Sequence, residues 1–280
     1  MNLVVRSARS DDLPSIATWT KDTFEWGDYV PERLPKWMDD LESEILVCVD
    51  AGDVPLAIVH VRMLASTEGW LEAARVHPDH KRSGMGTALN RAGVEWTRSR
   101  GARVVRLATE AGNLAARNQV EKLGYRIGSS WVTAFLEPDR SYRAETAARL
   151  AKSASIEVDS AWMFWSTSDL AAAGRSLLCE GWQWREARVE DLTAATRDSR
   201  LFQSPAGWVM FRPDGSDLET MWLASSPEDL PRLIEGIKDL AATRGADQLV
   251  VKVPGLDWAS EALRRAQFRV TDILVYYKAT

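Results

Sequence analysis

Histidine and cysteine are scarce: 280 residues carry three of the first and two of the second. Cys48 and Cys179 stand far apart with no CxxC or Cys/His spacing, which excludes a disulfide scaffold and a zinc knuckle and suits a reducing compartment. An excess of basic charge is missing too. The formal net charge is −5, so a nucleic-acid partner held by a general basic field is not expected, and any local cluster of Lys and Arg gains meaning. No apolar run approaches membrane-spanning length, and the opening MNLVVRSARSDDLP reaches charge too early for a secretory leader. The expectation is a cytoplasmic protein with neither nucleic acid nor membrane as a partner. Tryptophan, by contrast, is plentiful at 13 residues; most belong in a core, and an indole can also line a pocket. An apolar fraction of 45% and a charged fraction of 27% fit a soluble globular chain, and the length suits two domains better than one.

LVVRSA reads as a first strand, and Ser10 followed by Asp11, Asp12 and Pro14 starts a helix that runs toward Phe24. In EWGDYVPERLPKWMDDL, the breakers Gly27, Pro31 and Pro35 predict a loop plus a short helix, a place for a substrate wall. EILVCVD and PLAIVHVRML form a hairpin across AGDV. WLEAARV is the next strand; its alternation puts Trp70, Glu72, Ala74 and Val76 on one face and Leu71, Ala73 and Arg75 on the other. Met85, Ala88, Leu89, Ala92 and Trp96 then recur at helical spacing, closed by Arg98, Arg100 and Gly101. ARVVRLAT reads as a buried strand, NLAARNQVEKLG as a helix and YRIGSSWVTAFLE as a final long strand. The order is mixed α/β rather than a regular βα alternation.

From about Pro138 to Gly181 the chain looks like a connector, opening with charged helical sequence (SYRAETAARLAKS) and ending in SDLAAAGRSLLCEGW, a docked helix. Trp162, Phe164 and Trp165 within it suggest packing between domains or a cover over a site. An internal repeat follows. Arg6, Ala8, Arg9, Asp12 and Leu13 return at the same mutual spacing as Arg185, Ala187, Arg188, Asp191 and Leu192. Arg100-Gly101-Ala102 is echoed by Arg244-Gly245-Ala246, and Gly124-Tyr125-Arg126-Ile127 by Gln267-Phe268-Arg269-Val270. Two related domains in tandem, the second shorter, are expected.

HPDHKRSGMGTALN, His77–Asn90, is where cations and glycines concentrate at a helix start. Such a start offers unpaired N–H groups and a positive partial charge, and glycine lets the backbone close on an anion. Lys81, Arg82, Ser83, Gly84, Met85 and Gly86 supply this in sequence; the pattern alone fits a phosphate grip or a plain strand-to-helix turn. It is neither a dinucleotide fingerprint, since Leu89 stands where Gly or Ala is wanted, nor a Walker loop, since Thr87 stands where Lys is wanted. His77 and His80 form an HxxH with no third clustered ligand, so no metal site is assigned.

Val76-His77-Pro78 followed by Lys81 to Gly86 resembles the acetyl-CoA motif of the GNAT acetyltransferase superfamily, V-x-P before [RQ]-x-x-G-x-[GA]. Asn113, Ala116, Leu123, Gly124 and Tyr125 resemble its second motif, N-x-x-A ending in L-G-[FY]. The likeness covers residues 1 to 137 well and 182 to 280 in layout only. It implies two GNAT-like domains, each a mostly antiparallel twisted sheet with a splayed parallel strand pair and flanking helices: a catalytic domain over 1–140, a connector over 141–181 and a degenerate copy over 182–280. It further implies acetyl-CoA as cosubstrate. Main-chain groups of Ala74 and Val76 would meet the pantetheine, residues Lys81 to Thr87 would wrap the pyrophosphate, and Asn113 would touch the cofactor. Lys81 replaces the usual Arg or Gln, which keeps the charge but not the bidentate fork. The second copy has Ser225-Ser226-Pro227-Glu228-Asp229-Leu230 at the loop, with carboxylates that would repel a pyrophosphate.

The implied activity is N-acetylation of a primary amine on a small molecule, by direct attack in a ternary complex. An amine with a pKa near 10.4 is neutral in only about one molecule in a few thousand at pH 7, so its deprotonation is worth about 10²–10⁴ in rate. Glu72 is the candidate base, an acidic residue where the family often has one; the competing reading is a strand carboxylate paired with Arg62 or Arg75. Glu25, Asp28 and Tyr29 are candidates for substrate contact. The family's frequent tyrosine seven residues after the asparagine is here Val120, and a thiol is a fair leaving group without it. Tyr125 fits a structural position and Cys48 a core one. Two other readings stand beside this one: a non-catalytic acyl-CoA sensor or interaction protein, and a protein N-acetyltransferase. A monomer or homodimer is expected.

Overall fold

The structure is a computed structural model and describes residues 3–23, 27–212 and 215–280. Its contacts divide the chain into two units. Unit 1 holds the residues up to Leu107, Ala115–Arg126 and the last five, Tyr276–Thr280; unit 2 holds Ala108–Leu114 and Ile127–Val275.

In chain order the first elements are β1 (Val4–Ser7), α1 (Leu13–Thr20), α2 (Val30–Asp39), β2 (Ser43–Val49), β3 (Pro55–Ala65), β4 (Glu68–Val76), α3 (Met85–Ser99), β5 (Val104–Glu110) and α4 (Leu114–Lys122). The strands lie in the order β1-β2-β3-β4-β5, antiparallel as far as β4, with β4 and β5 parallel. The predicted loop plus short helix becomes a ten-residue α2 despite Pro31 and Pro35. Pro31 sits in the first turn, where its missing N–H costs nothing, and the carbonyl that Pro35 leaves unpaired lies at the helix start. Val30, Leu34 and Trp37 from α2 bury against Ile16, Ile45, Val47 and Ile58. The buried stripe of α3 is Met85, Leu89, Gly93 and Thr97; Trp96 lies at its edge, under the Arg100 guanidinium at 3.8 Å.

The chain continues through β6 (Arg126–Leu136), β7 (Ala151–Lys152), α5 (Val158–Ser166), α6 (Asp169–Ala173), β8 (Leu177–Glu180), β9 (Gln183–Glu186), α7 (Val189–Arg197), β10 (Leu201–Ser204), β11 (Gly207–Phe211), β12 (Leu218–Ala224), α8 (Leu230–Arg244), β13 (Leu249–Pro254), α9 (Asp257–Arg265) and β14 (Arg269–Ala279). In unit 2 the order is β14-β6-β13-β12-β11-β10-β7, with β8 and β9 a separate hairpin. Strand β6 pairs antiparallel with β13 from Trp131↔Pro254 to Leu136↔Leu249. The sequence SYRAETAARLAKS does not form the expected helix; it contains one 3-10 turn, Thr146–Ala148, and the two-residue β7. Tertiary contacts override its propensity: Asp239 of α8 accepts the Ala144 N–H at 3.1 Å, and the Ala148 carbonyl lies where Gly236 of α8 has no Cβ. Trp165 is buried in the core of unit 2, its ring centroid 5.6 Å from that of Trp222 and 5.2 Å from that of Trp162.

The repeat has a physical content. Arg6 holds Asp12 through two nitrogens, at 2.7 and 3.0 Å, while Asp12 accepts the Arg9 N–H at 2.7 Å. Arg185 holds Asp191 at 2.9 and 2.6 Å, and Asp191 accepts the Arg188 N–H at 2.8 Å. Each arginine–aspartate pair locks a strand to the start of the next helix.

Candidate active site

The ladder between β4 and β5 is short, running from Glu68↔Val104 to Trp70↔Arg106. The parallel register ends at Trp70↔Arg106, so β4 and β5 pair over their first residues and splay after them. The second copy repeats the device: β12 and β13 are parallel only at Leu218↔Leu249 and Glu219↔Val250.

Just past the end of the ladder, β4 carries a bulge. His60 faces Glu72 and Ile58 faces Arg75, so β4 spends one residue more than β3. Ala73 takes that turn with φ 55°, a left-handed conformation that an alanine adopts only under tertiary constraint. The simple alternation read from the sequence therefore fails after Glu72. His60 and Ile58 share a face of β3, so Glu72 and Arg75 share a face of β4.

Glu72 on that face has a defined seat. Its Oε1 lies 2.9 Å from His60 Nδ1, and its Oε2 accepts from the Trp70 indole N–H at 3.1 Å. The side chain is 11% exposed. His60 is buried and stacks on Trp37 with centroids 4.3 Å apart and planes 12° from parallel. Arg75 donates to Asp28 at 2.6 and 3.2 Å, to the Ala74 carbonyl at 3.2 Å, and lies 5.5 Å from the Tyr29 ring. Partial burial, with the Glu72 carboxylate adding to it, holds the Tyr29 phenol above its ordinary pKa, so it stays protonated. Glu72, Asp28 and Tyr29 are thus gathered on one side of unit 1; Glu25 lies outside the described residues. Sequence reasoning missed His60 and Trp37 as parts of this cluster, and it set Arg75, weighed as a partner of Glu72, on the opposite face of β4; Arg75 instead bonds to Asp28. Counting the hairpin register back from Ser66 and Thr67 sets His60 opposite Ala73; the register shift between Met63 and Ala65 is what brings His60 opposite Glu72.

The basic loop ends at Gly84, which caps α3 at φ 88°, with no side chain accepting from the first turn. Arg82 is left-handed as well, at φ 64°, and Lys81, Arg82, Ser83 and Gly84 are exposed. The α3 N-terminus therefore keeps N–H groups that the helix itself does not use. A Cβ on Gly86 would stand 2.7 Å from Gln119 Nε2 and 3.8 Å from Val76 Cγ2. Gln119, which sequence reasoning passed over, thus faces the loop from α4. Main-chain N–H groups at the helix start beside two exposed cations are chemistry that suits an anion. Asn113 precedes α4 and gives its backbone N–H to Glu110 O at 3.0 Å. His77 Nδ1 accepts the Asp79 N–H at 3.3 Å, which makes it a cap for the turn at Pro78. Among the described residues no group of three or more His, Cys, Asp or Glu could hold a metal ion.

Val120 is half-buried on α4, with no phenol at that position. Tyr125 is buried, and burial pushes its phenol up to about 12. Cys48 and Cys179 are both buried in strands, and burial pushes the Cys48 thiol up and that of Cys179 up to about 12. None of the three is a ready acid or nucleophile near neutrality.

The described residues contain no helix long and apolar enough to cross a membrane. Residues 13–125 match the model of the acetyltransferase (GNAT) family. Over its whole length the chain is similar in fold to a GCN5-related N-acetyltransferase from Sphaerobacter thermophilus, at TM-score 0.70 and 17% identity, covering 99% of this chain and 95% of that one. A candidate acetyltransferase from Thermoplasma acidophilum aligns at TM-score 0.65 and 14% identity over 99% of this chain and 100% of that one. The GCN5-related glucosamine N-acetyltransferase region of a fungal multi-domain GH3 beta-N-acetylglucosaminidase aligns at TM-score 0.65 and 15% identity, over 99% of this chain and 38% of that one. No curated protein matches the chain. The fold is mixed α/β, a large and mostly antiparallel sheet with flanking helices, and it matches these structures over almost the whole chain. Residues 13–125 form a domain of the GNAT acetyltransferase family, whose members typically use acetyl-CoA.

Proposed function

We propose that the chain is an acetyl-CoA-dependent N-acetyltransferase that acetylates a primary amine of a small molecule by direct attack in a ternary complex. The observation that carries this reading is the Glu72 carboxylate, fixed by His60 and Trp70 where β4 leaves its parallel partner. Glu72 takes a proton from the bound ammonium; the amine nitrogen then bonds to the thioester carbonyl carbon, the carbon–sulfur bond breaks, the nitrogen gives up its surplus proton to water, and the departing thiolate is protonated by solvent. Around the base, Asp28 and Arg75 compensate each other, so the cluster keeps one net negative charge that suits a cationic amine. Asp28 and Tyr29 line the acceptor side.

In this reading Ala74 and Val76 meet the pantetheine through their main chain, Lys81 to Thr87 grip the diphosphate, and Asn113 touches the cofactor. Residues 1–140 form the catalytic domain, 141–181 the connector and 182–280 a copy without cofactor. The copy's loop is closed on itself: Ser226 Oγ donates to Asp229 Oδ2 at 3.0 Å and accepts the Asp229 N–H at 3.2 Å. Its strand pair is bridged by the buried Lys252, bonded to Glu219 and the Gly181 carbonyl. A cytoplasmic location fits a chain with two reduced cysteines.

The alternative, an acyl-CoA sensor, is favoured by Val120, since it removes the side chain that would protonate the thiolate. Thiol release from acetyl-CoA across a panel of small amines separates the two: turnover with at least one amine supports the enzyme, and silence with measurable CoA binding supports the sensor. Acetylation of peptides but of no small amine would instead make the acceptor a protein.

A further inference from the structure

We infer that His60 is a positioning residue for Glu72, acting through its Nδ1–H. The inference rests on the reading of Glu72 as the base. A carboxylate can only accept, so the 2.9 Å contact fixes the imidazole proton on Nδ1 and leaves a lone pair on Nε2. That Nε2 is buried and has no hydrogen-bond partner. A histidine serving only to fill space would satisfy both nitrogens or give way to an aliphatic side chain. Here one nitrogen stays unserved while the other points at the carboxylate, and the ring is held flat on Trp37.

The geometry accounts for the arrangement. Trp70 fixes Oε2 and His60 fixes Oε1, so the carboxylate cannot rotate about its last torsion. Arg75, on the same face, is engaged by Asp28, and the Tyr29 phenol feels the Glu72 charge. Loss of the Nδ1 donor frees Oε1 and loosens the base.

His60→Asn, whose amide N–H occupies the place of Nδ1–H, and His60→Leu, which has no donor, are compared with Glu72→Gln for kcat, KM and CoA affinity. His60→Leu is expected to lower kcat about tenfold or more with CoA affinity intact, and His60→Asn to restore most of it. A His60→Leu enzyme with wild-type kcat, while Glu72→Gln is impaired, overturns the inference and leaves the base reading standing. A fully active Glu72→Gln overturns both. A second readout needs no variant of His60: with three histidines in the chain, ¹⁵N spectra of labelled protein resolve the ring. A pyrrole-type Nδ1 and pyridine-type Nε2 are expected at His60, and the opposite assignment overturns the inference.

Discussion

Arg6 and Asp12 form a two-pronged ion pair at 2.7 and 3.0 Å across the turn from β1 to α1. The hydrogen bonds from Arg6 hold the Asp12 carboxyl below its ordinary value of 3.8. A carboxyl lowered by folding adds stability that is fully present above the unfolded pKa and is lost as the pH falls through the folded one. Asp12→Asn is therefore expected to destabilise the protein by about 2 kcal/mol at pH 7 and by progressively less below pH 3.8. Urea unfolding at several pH values checks this; a cost that stays constant into acid contradicts it.

Gly236→Ala tests how the connector lies on α8. Helix propensity alone predicts a gain of about 1 kcal/mol for Ala over Gly. The new Cβ would collide with the Ala148 carbonyl, a backbone atom that cannot swing aside, and overpacking of this kind costs about 1–3 kcal/mol. The clash wins, so the midpoint of thermal unfolding is expected to fall; a rise would mean that the chain at Ala148 does not run there.

The last five residues fold with unit 1. Tyr276 is fully buried and donates its hydroxyl to Glu121 at 2.8 Å, Lys278 Nζ reaches the Leu123 carbonyl at 2.8 Å, and the Thr280 N–H meets Arg103 O at 3.2 Å. Deleting Tyr276–Thr280 is expected to lower the melting temperature and weaken CoA binding, because α4 loses its anchor. Tyr276→Phe, which removes one hydrogen bond, is expected to cost about 1 kcal/mol. Calorimetry on both variants decides it, and a truncated chain with an unchanged melting temperature rules it out.

Lys81→Ala and Arg82→Ala test the diphosphate grip. Both side chains are exposed, so each is expected to weaken CoA about three- to tenfold, an effect that shrinks as salt rises past about 0.15 M. Titration calorimetry at two ionic strengths measures this. Equal affinity in variants and wild type would remove the loop from the binding site.

Much of the framework was readable because it depends on local chemistry. The glycine-rich loop, the helix after it and the repeated spacing of Arg6 and Asp12 in Arg185 and Asp191 were legible because those residues are neighbours in sequence, whereas of the expected α3 stripe Met85 and Leu89 are the fully buried members. The bulge at Ala73 was not readable: nothing marks an alanine for φ 55°, and that one extra residue moved Arg75 to the face of Glu72. His60 was passed over because a single histidine in an apolar strand looks like core, and only the hairpin register reveals its partner. The segment SYRAETAARLAKS looked helical and is not, because Asp239 and Gly236, about ninety residues further on, hold it in another shape.

The central claim is that Glu72 receives the proton of the acceptor amine, and the decisive comparison is kcat/KM for the best amine in wild type and Glu72→Gln, with CoA affinity measured on the same preparations. A fall of about 10²–10⁴ in kcat/KM with CoA binding within twofold of wild type is the predicted result. A fall below about threefold, with binding intact, would contradict it.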